Sequence, residues 1–299
     1  MYPFMTRNYL FLMITLLILA ALSCSTESAP VFTLATTANP TEGGVITPNT
    51  GSFDEGEVIS LQATPAEGWI FARWEQDLNT TENPMNITMN RDYNIVGVFE
   101  RLRDNTTTVV DVTNPITGLT WMDRNLGASR AATSSTDVQA YGDLYQWGRA
   151  ADGHQKRNSP TTNTLSSSNQ PEHGSFILTP NQPHDWRSPQ NNNLWKDENG
   201  TNNPCPNGYR LPTSPEWEAE RQSWSSNDAN GAYNSVLKLP MSGFRDRNSG
   251  DIGYVGSYGG YWSGTVVGSG SYGLGFFTYT SSVAGSVRGF GLSIRCIKQ

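Results

Sequence analysis

Apolar and polar residues alternate with a period of two through the first third of this chain. Ile59, Leu61 and Ala63 alternate with Ser60, Gln62 and Thr64, and Ile70, Ala72 and Trp74 alternate with Phe71 and Arg73. Met85, Ile87 and Met89 repeat the pattern, and Tyr93 to Phe99 supplies a last strand. Such alternation turns one face of each strand to a core and the other to solvent. Gly43-Gly44, Asn49-Thr50-Gly51, Glu67-Gly68 and Glu82-Asn83-Pro84 supply the turns between the runs. A small β module over residues 31–100 is predicted, with Trp69 and Trp74 in its core rather than on a ligand platform.

After a polar linker, 101–108, the pattern changes. Val110, Val112 and Gly118 to Met122 read as strands around a turn at Asn114-Pro115. Ala140, Leu144, Trp147 and Ala151 then fall on one face of a helix, a prediction that Gly142 weakens by about 1 kcal/mol. From Asp152 to Pro204 periodicity fades into Asn, Ser, Pro and Gln, predicting a long excursion without a regular core of its own; such loops are functional or disordered. Order returns at Cys205, where Pro206, Asn207 and Gly208 form a turn and Tyr209 to Leu211 is extended. Thr213 and Glu216 then spell a capping box, with Pro215 in the first helical turn, where its missing N–H costs nothing.

The chain opens on an address. Arg7 precedes an apolar run from Tyr9 to Leu22 that would span about 21 Å as a helix, short of a bilayer's roughly 30 Å core. It reads as a signal peptide over residues 1–23. Its end, Ala21-Leu22-Ser23-Cys24, resembles a bacterial lipobox, which implies an acylated Cys24 and a membrane partner held through the lipid; the rival is an ordinary secretory signal cleaved near Ser23. Ser25 in place of aspartate fits an outer-membrane destination, and residues 24–30 form a tether.

Composition narrows the function. Only 16% of the 299 residues are charged and the formal net charge is −7. A chain without a basic face is a poor phosphate binder, so nucleic acid is not an expected partner.

Two families come into view from longer phrases. Gly56-Glu-Val-Ile-Ser-Leu-Gln-Ala-Thr-Pro-Ala-Glu-Gly-Trp, Phe71-Ala-Arg-Trp-Glu, Glu82-Asn-Pro-Met-Asn-Ile-Thr-Met and the closing Val96-Gly-Val-Phe resemble the divergent internalin-type B-repeat. That resemblance implies a β-grasp-like spacer or adhesive unit of bacterial surface proteins. Trp121-Met-Asp-Arg-Asn-Leu-Gly, Tyr145-Gln-Trp-Gly-Arg, Asp185-Trp186, Asn193-Leu-Trp, Asn203-Pro-Cys-Pro-Asn-Gly-Tyr-Arg-Leu-Pro-Thr, Trp217, Tyr261-Trp-Ser and Ile294-Arg-Cys resemble the Fibrobacter succinogenes major paralogous domain over residues 109–299. Through that family the chain is similar to formylglycine-generating enzymes and the C-type-lectin-like fold. The implied class is α+β: a small β-grasp-like module, then a lectin-like domain with two helices, short strands and long loops.

Four groups of residues could carry chemistry. Cys205 and Cys296 would pair in an exported protein, as lectin-like folds commonly do, with free thiols or a catalytic pair as rivals. Formylglycine-generating enzymes need a further, closely spaced cysteine pair, and Val283 to Ser293 contains none. His154, His173 and His184 have spacings that match no compact metal site and read as solvated loop residues. Asp197, Glu198 and Asn199, with Asn202, Asn203 and the turn-permitting Gly200, are candidate calcium ligands, against the alternative of a solvated turn. No other cofactor is expected. Trp186, Tyr254, Tyr258 and Tyr272, set among glycines and serines, are candidates for an aromatic recognition surface, while Trp195, Trp217 and Trp262 are expected in the core. The expected function is a non-catalytic, lipid-anchored surface protein that binds glycans or envelope proteins. The alternatives are a formylglycine-generating type of enzyme and a purely structural envelope component.

Overall fold

The computed structural model describes residues 29–66, 69–101, 103 and 106–299. The leader, Cys24 and the Glu67-Gly68 turn lie outside the described residues.

The first module consists of two sheets. In one, Val31–Asn39 pairs in parallel with Tyr93–Arg101, and the antiparallel strands Gly51–Asp54 and Trp69–Gln76 flank that central pair. In the other, Val58–Pro65 runs antiparallel between Gly44–Thr47 and Met85–Thr88. Leu34, Ile59, Leu61, Ala63, Trp74, Ile87, Met89, Ile95 and Phe99 close the core between them. The alternation of Ile59, Leu61 and Ala63, and of Ile87 and Met89, therefore reads correctly. The run from Ile70 to Trp74 does not: the register slips between Phe71 and Arg73, and Ile70 is left exposed. A bulge adds one residue on one strand and changes which face the following side chains take. Phe71 thus packs with Trp74 at 4.8 Å between ring centroids, although simple alternation assigns them to opposite faces. Trp69 packs partly buried against this core.

The linker reaches into the second domain. Arg103 is buried and donates from Nη1 to Cys205 O at 2.8 Å and from Nη2 to Glu198 O at 2.9 Å.

The second domain is β-rich, with two short helices among the described residues, Ser214–Gln222 and Ala229–Asn234. Asp111–Thr113, Thr120–Met122, Ile297–Lys298 and Tyr209–Arg210 form one sheet that draws the beginning and end of the domain together. Tyr258–Val267, Gly270–Phe277 and Thr280–Ser286 form an antiparallel meander. The capping box forms as predicted: Thr213 Oγ1 accepts from Glu216 N, and Glu216 Oε2 accepts from Thr213 N at 2.7 Å.

The predicted helix around residues 140–151 is absent. A single 3-10 turn at Val138–Ala140 gives way to Tyr145–Gln146, extended and paired with Gly291–Leu292. Gly142 and Gly148 hold φ of 66° and 86°, and a Cβ on Gly142 would stand 2.2 Å from Leu126 O. Left-handed backbone at two places ends any helix. Ala140, Leu144 and Trp147 are nonetheless buried, so their spacing marks core positions without marking a helix.

The core of this domain is built on indoles. Trp121, Trp147, Trp186, Trp195, Trp217 and Trp262 are fully buried, and most anchor a distant backbone through the ring N–H. Trp262 Nε1 donates to Tyr145 O at 2.7 Å, Trp217 to Trp262 O at 3.0 Å, Trp147 to Ser263 O at 2.9 Å and Trp195 to Asn202 O at 2.8 Å. The excursion from Asp152 to Pro204 is pinned, despite its lack of regular structure, by Trp186 Nε1 on Trp147 O at 2.6 Å and Trp195 Nε1 on Arg149 O at 3.2 Å, and Phe176, Ile177 and Leu194 are buried with them. Cys205 and Cys296 are joined in a buried disulfide with 5.9 Å between Cα atoms, closing a loop across a sequence separation of 91.

Candidate functional site

The meander's own register makes the site. Tyr258 pairs with Phe277, Gly260 with Gly275 and Trp262 with Gly273; beyond them Gly275 pairs with Ser282 and Gly273 with Ala284. Cross-strand partners share a face and neighbours along a strand alternate, so Tyr258, Phe277, Gly275, Gly273, Ser282 and Ser286 lie on one face. Gly259, Leu274, Phe276, Ser281 and Val283 lie on the other, where Trp224 packs on Phe276. A Cβ on Gly260 would come within 2.6 Å of the Tyr258 ring, and one on Gly275 within 3.1 Å of its hydroxyl. The paired glycines therefore let Tyr258 lie down on the sheet.

Above this face opens a groove of about 450 Å³ lined by Phe244, Tyr254, Tyr258, Phe277, Phe290, Leu292 and Ser286. Tyr254 stacks on Phe244 at 5.4 Å between centroids, and Tyr258 meets Phe277 at 4.7 Å and the edge of Phe244 at 5.9 Å. Burial raises the Tyr258 phenol above its ordinary value, so it stays a neutral hydroxyl. Tyr254 is 61% exposed and sits at φ 57°, a left-handed conformation that costs a bulky residue about 1–2 kcal/mol. The turn that carries it is held by its own carbonyl, which accepts from Ser257 N at 3.1 Å and Tyr258 N at 3.0 Å, and by Gly256 N on Met241 O at 2.8 Å.

Of the predicted recognition residues, Tyr254 and Tyr258 converge in this groove. Tyr272 does not: it pairs with Gly285 on the opposite face of the meander, because its number in the strand has the other parity. Trp186 is also placed elsewhere. It is fully buried, its Nε1 donates to Trp147 O at 2.6 Å, and it offers no face to a ligand. Phe244, Phe277 and Phe290 carry no signal in the sequence; they come from two different sheets and a turn, and only ring packing, Phe244 on Tyr258 at 5.9 Å and on Phe290 at 5.5 Å, unites them.

The Asp197 to Asn199 loop holds a guanidinium. Glu198 O accepts from Arg103 and from Asn203 Nδ2, while the Glu198 carboxylate takes Gly208 N at 2.8 Å. Among the described residues no group of three or more His, Cys, Asp or Glu side chains could hold a metal.

The histidines divide. His173 is exposed, as predicted, but His184 is buried and His154 is wholly enclosed. His154 Nε2 accepts from Gln146 N at 3.0 Å, so in the neutral ring Nδ1 carries the hydrogen and donates to Asp152 Oδ1 at 2.6 Å. Burial, then the charges of Arg149 and Arg245, pull its pKa from 6.5 to about 4 against the opposing pull of Asp152. This buried network ties the excursion to the strand Tyr145–Gln146. None of its members lines the groove, and the network reads as structural.

Comparison with known proteins bears on the first module. Residues 34–103 match the divergent InlB B-repeat domain. The B-repeat thus coincides with the two sheets that Val31–Asn39 begins, and its end falls at Arg103, the residue inserted into the second domain. No curated protein and no solved structure matches the chain.

Proposed function

We propose that this chain is a lipid-anchored bacterial surface protein in which the B-repeat module holds a lectin-like domain of the Fibrobacter succinogenes paralogous kind away from the membrane. The second domain binds glycans or envelope proteins and performs no catalysis. One observation carries the recognition part: an open aromatic groove whose outermost ring, Tyr254, is presented to solvent from a left-handed backbone. An exposed bulky residue held at a conformational cost favours a role outside the fold's own stability. The anchor part rests on the Ala21-Leu22-Ser23-Cys24 sequence and would place the protein at the cell surface, on the outer membrane. Within the lectin-like reading, two short helices, a pinned long excursion and a disulfide from mid-domain to the last strand are the supporting features.

The enzymatic alternative is disfavoured by the sulfur chemistry. Cys296 is consumed in its bond to Cys205, and the stretch before it contains no second thiol pair.

The test measures retention of the full chain on immobilised envelope polysaccharide, beside its melting temperature. Tyr254→Ala should keep the melting temperature and lose retention, since truncating an aromatic hot spot commonly costs about 2 kcal/mol or more of binding. A folded Tyr254→Ala protein retained like the wild type would move the reading to a structural envelope component.

A further inference from the structure

We propose that the groove takes an uncharged oligosaccharide, one sugar ring against the aromatic end and the next over the glycine floor beside it. This rests on the recognition reading above and names its ligand.

The first argument is continuity. A second hollow of about 210 Å³ shares Tyr258, Phe277, Ser286 and Leu292 with the aromatic end and extends over Gly273 and Gly275 toward Ser282. Along the row Gly260–Gly275–Ser282 no side chain is longer than a hydroxymethyl group, and the next row continues through Gly273 and Ala284 from the buried Trp262. The sheet surface therefore stays open next to the Tyr258 plate. The aromatic hollow of about 450 Å³ already falls within the range of roughly 300–1,000 Å³ usual for small-molecule sites, and the second of about 210 Å³ extends it.

The second argument is charge. None of the side chains lining either hollow is ionised, and the Arg247 guanidinium, 5.6 Å from the Phe290 ring centroid, already donates to Thr179 O and Asn248 Oδ1, so a uronate or phosphate-bearing chain would give up hydration without a dedicated counter-charge.

The third is the change of chemistry along the groove. Rings at one end match the C–H face of a pyranose. The hydroxyl of Ser282 at the other end, and that of Ser286 where the two hollows meet, can both donate and accept, as sugar hydroxyls do, and no side chain or carbonyl among the described residues engages them. An extended proline-rich peptide also favours aromatic grooves, but it offers mainly carbonyl acceptors and would use half of that capacity.

Calorimetric titration of the full chain tests the assignment. The probes are neutral oligomers of glucose, mannose, galactose and xylose, each as monomer and tetramer, with tetragalacturonate and decaproline as the charged and peptide counterparts. At least one neutral tetramer should bind about tenfold tighter than its monomer, the worth of one or two added hydrogen bonds in water. Ser282→Ala, at a residue that lines only the second hollow, should remove most of that advantage and leave monomer binding unchanged, while Tyr254→Ala should weaken both. Equal affinity for tetramer and monomer, equal affinity for tetragalacturonate, or binding of decaproline alone would overturn the oligosaccharide assignment and leave a recognition groove standing. Silence from every probe overturns the assignment as well. If Tyr254→Ala is then also retained on envelope polysaccharide like the wild type, the recognition reading falls with it.

Discussion

Acidification should loosen the second domain through one residue, His154. Its ring is neutral in the fold because Nε2 is already occupied by Gln146 N–H; a proton added there would set two N–H groups against each other inside a buried site flanked by Arg149 and Arg245. The unfolded chain has no such restriction and takes up the proton near the ordinary value of 6.5, whereas the folded chain resists to about 4. Between those values the unfolded state binds more protons, so stability is full above the upper value and falls as the pH drops toward the lower one. Each pH unit well inside the window costs about 1.4 kcal/mol, and the integrated loss from pH 7 to pH 5 is about 2 kcal/mol. For a domain of this size that lowers Tm by roughly 4–8 °C. The carboxylates whose pKa is lowered by their partners, among them Asp111 and Glu216, lose their contribution only at more acidic pH, as they fall through the carboxylate range. The assay is Tm against pH from 7.5 to 4.5 for the wild type and for His154→Gln, which keeps an acceptor for Gln146 N–H and cannot titrate. The variant should melt lower at pH 7.5 and show a flattened slope between pH 7 and 5. A wild-type Tm that stays level over that interval, or an identical slope in the variant, would refute the reasoning.

Other outcomes follow from the same geometry. Replacing Cys205 with serine should cost about 2–5 kcal/mol, and thiol labelling of denatured wild type should find both Cys205 and Cys296 protected until reductant is added. Trp262→Ala should cost about 3–5 kcal/mol, because it leaves a cavity and strips Tyr145 O of its donor; a loss under 1 kcal/mol in denaturant unfolding would contradict that packing. Tyr272→Ala should leave polysaccharide retention unchanged where Tyr254→Ala loses it, because the two tyrosines are not on the same face of the meander; equal losses would mean the groove is not the site. Cys24→Ala should shift the protein from the detergent phase to the aqueous phase, and identical partitioning of both forms would remove the lipid anchor.

Local chemistry was legible wherever a short segment decides its own conformation. Thr213 and Glu216 cap the helix that they announce, since both partners of the cap lie within one turn. Period-two alternation found the B-repeat's strands because each buries one face, and it failed between Phe71 and Arg73, where a bulge changes parity without any mark in composition. The spacing of Ala140, Leu144 and Trp147 told which residues would be buried but not how the backbone carries them. A residue can reach the core from an irregular path as well as from a helix, and Gly142 and Gly148 take the irregular one.

The site shows the same division. The sequence alone determined that tyrosines sit among small residues in the last third of the chain, that two cysteines stand where a staple could close the domain, and that charge is sparse. Tertiary structure alone decided which rings meet. Tyr258 and Tyr272 look alike in sequence, yet strand parity sends one into the groove and the other to the far face. Phe244, Phe277 and Phe290 enter only because two separate sheets and the turn before Gly291–Leu292 come together in the fold, and Trp186 leaves because a backbone carbonyl in the core accepts its N–H. The physical reason is range: caps, turns and alternation are settled by neighbours a few residues apart, whereas a groove is settled by hydrogen-bond register between segments that meet only after the chain has folded.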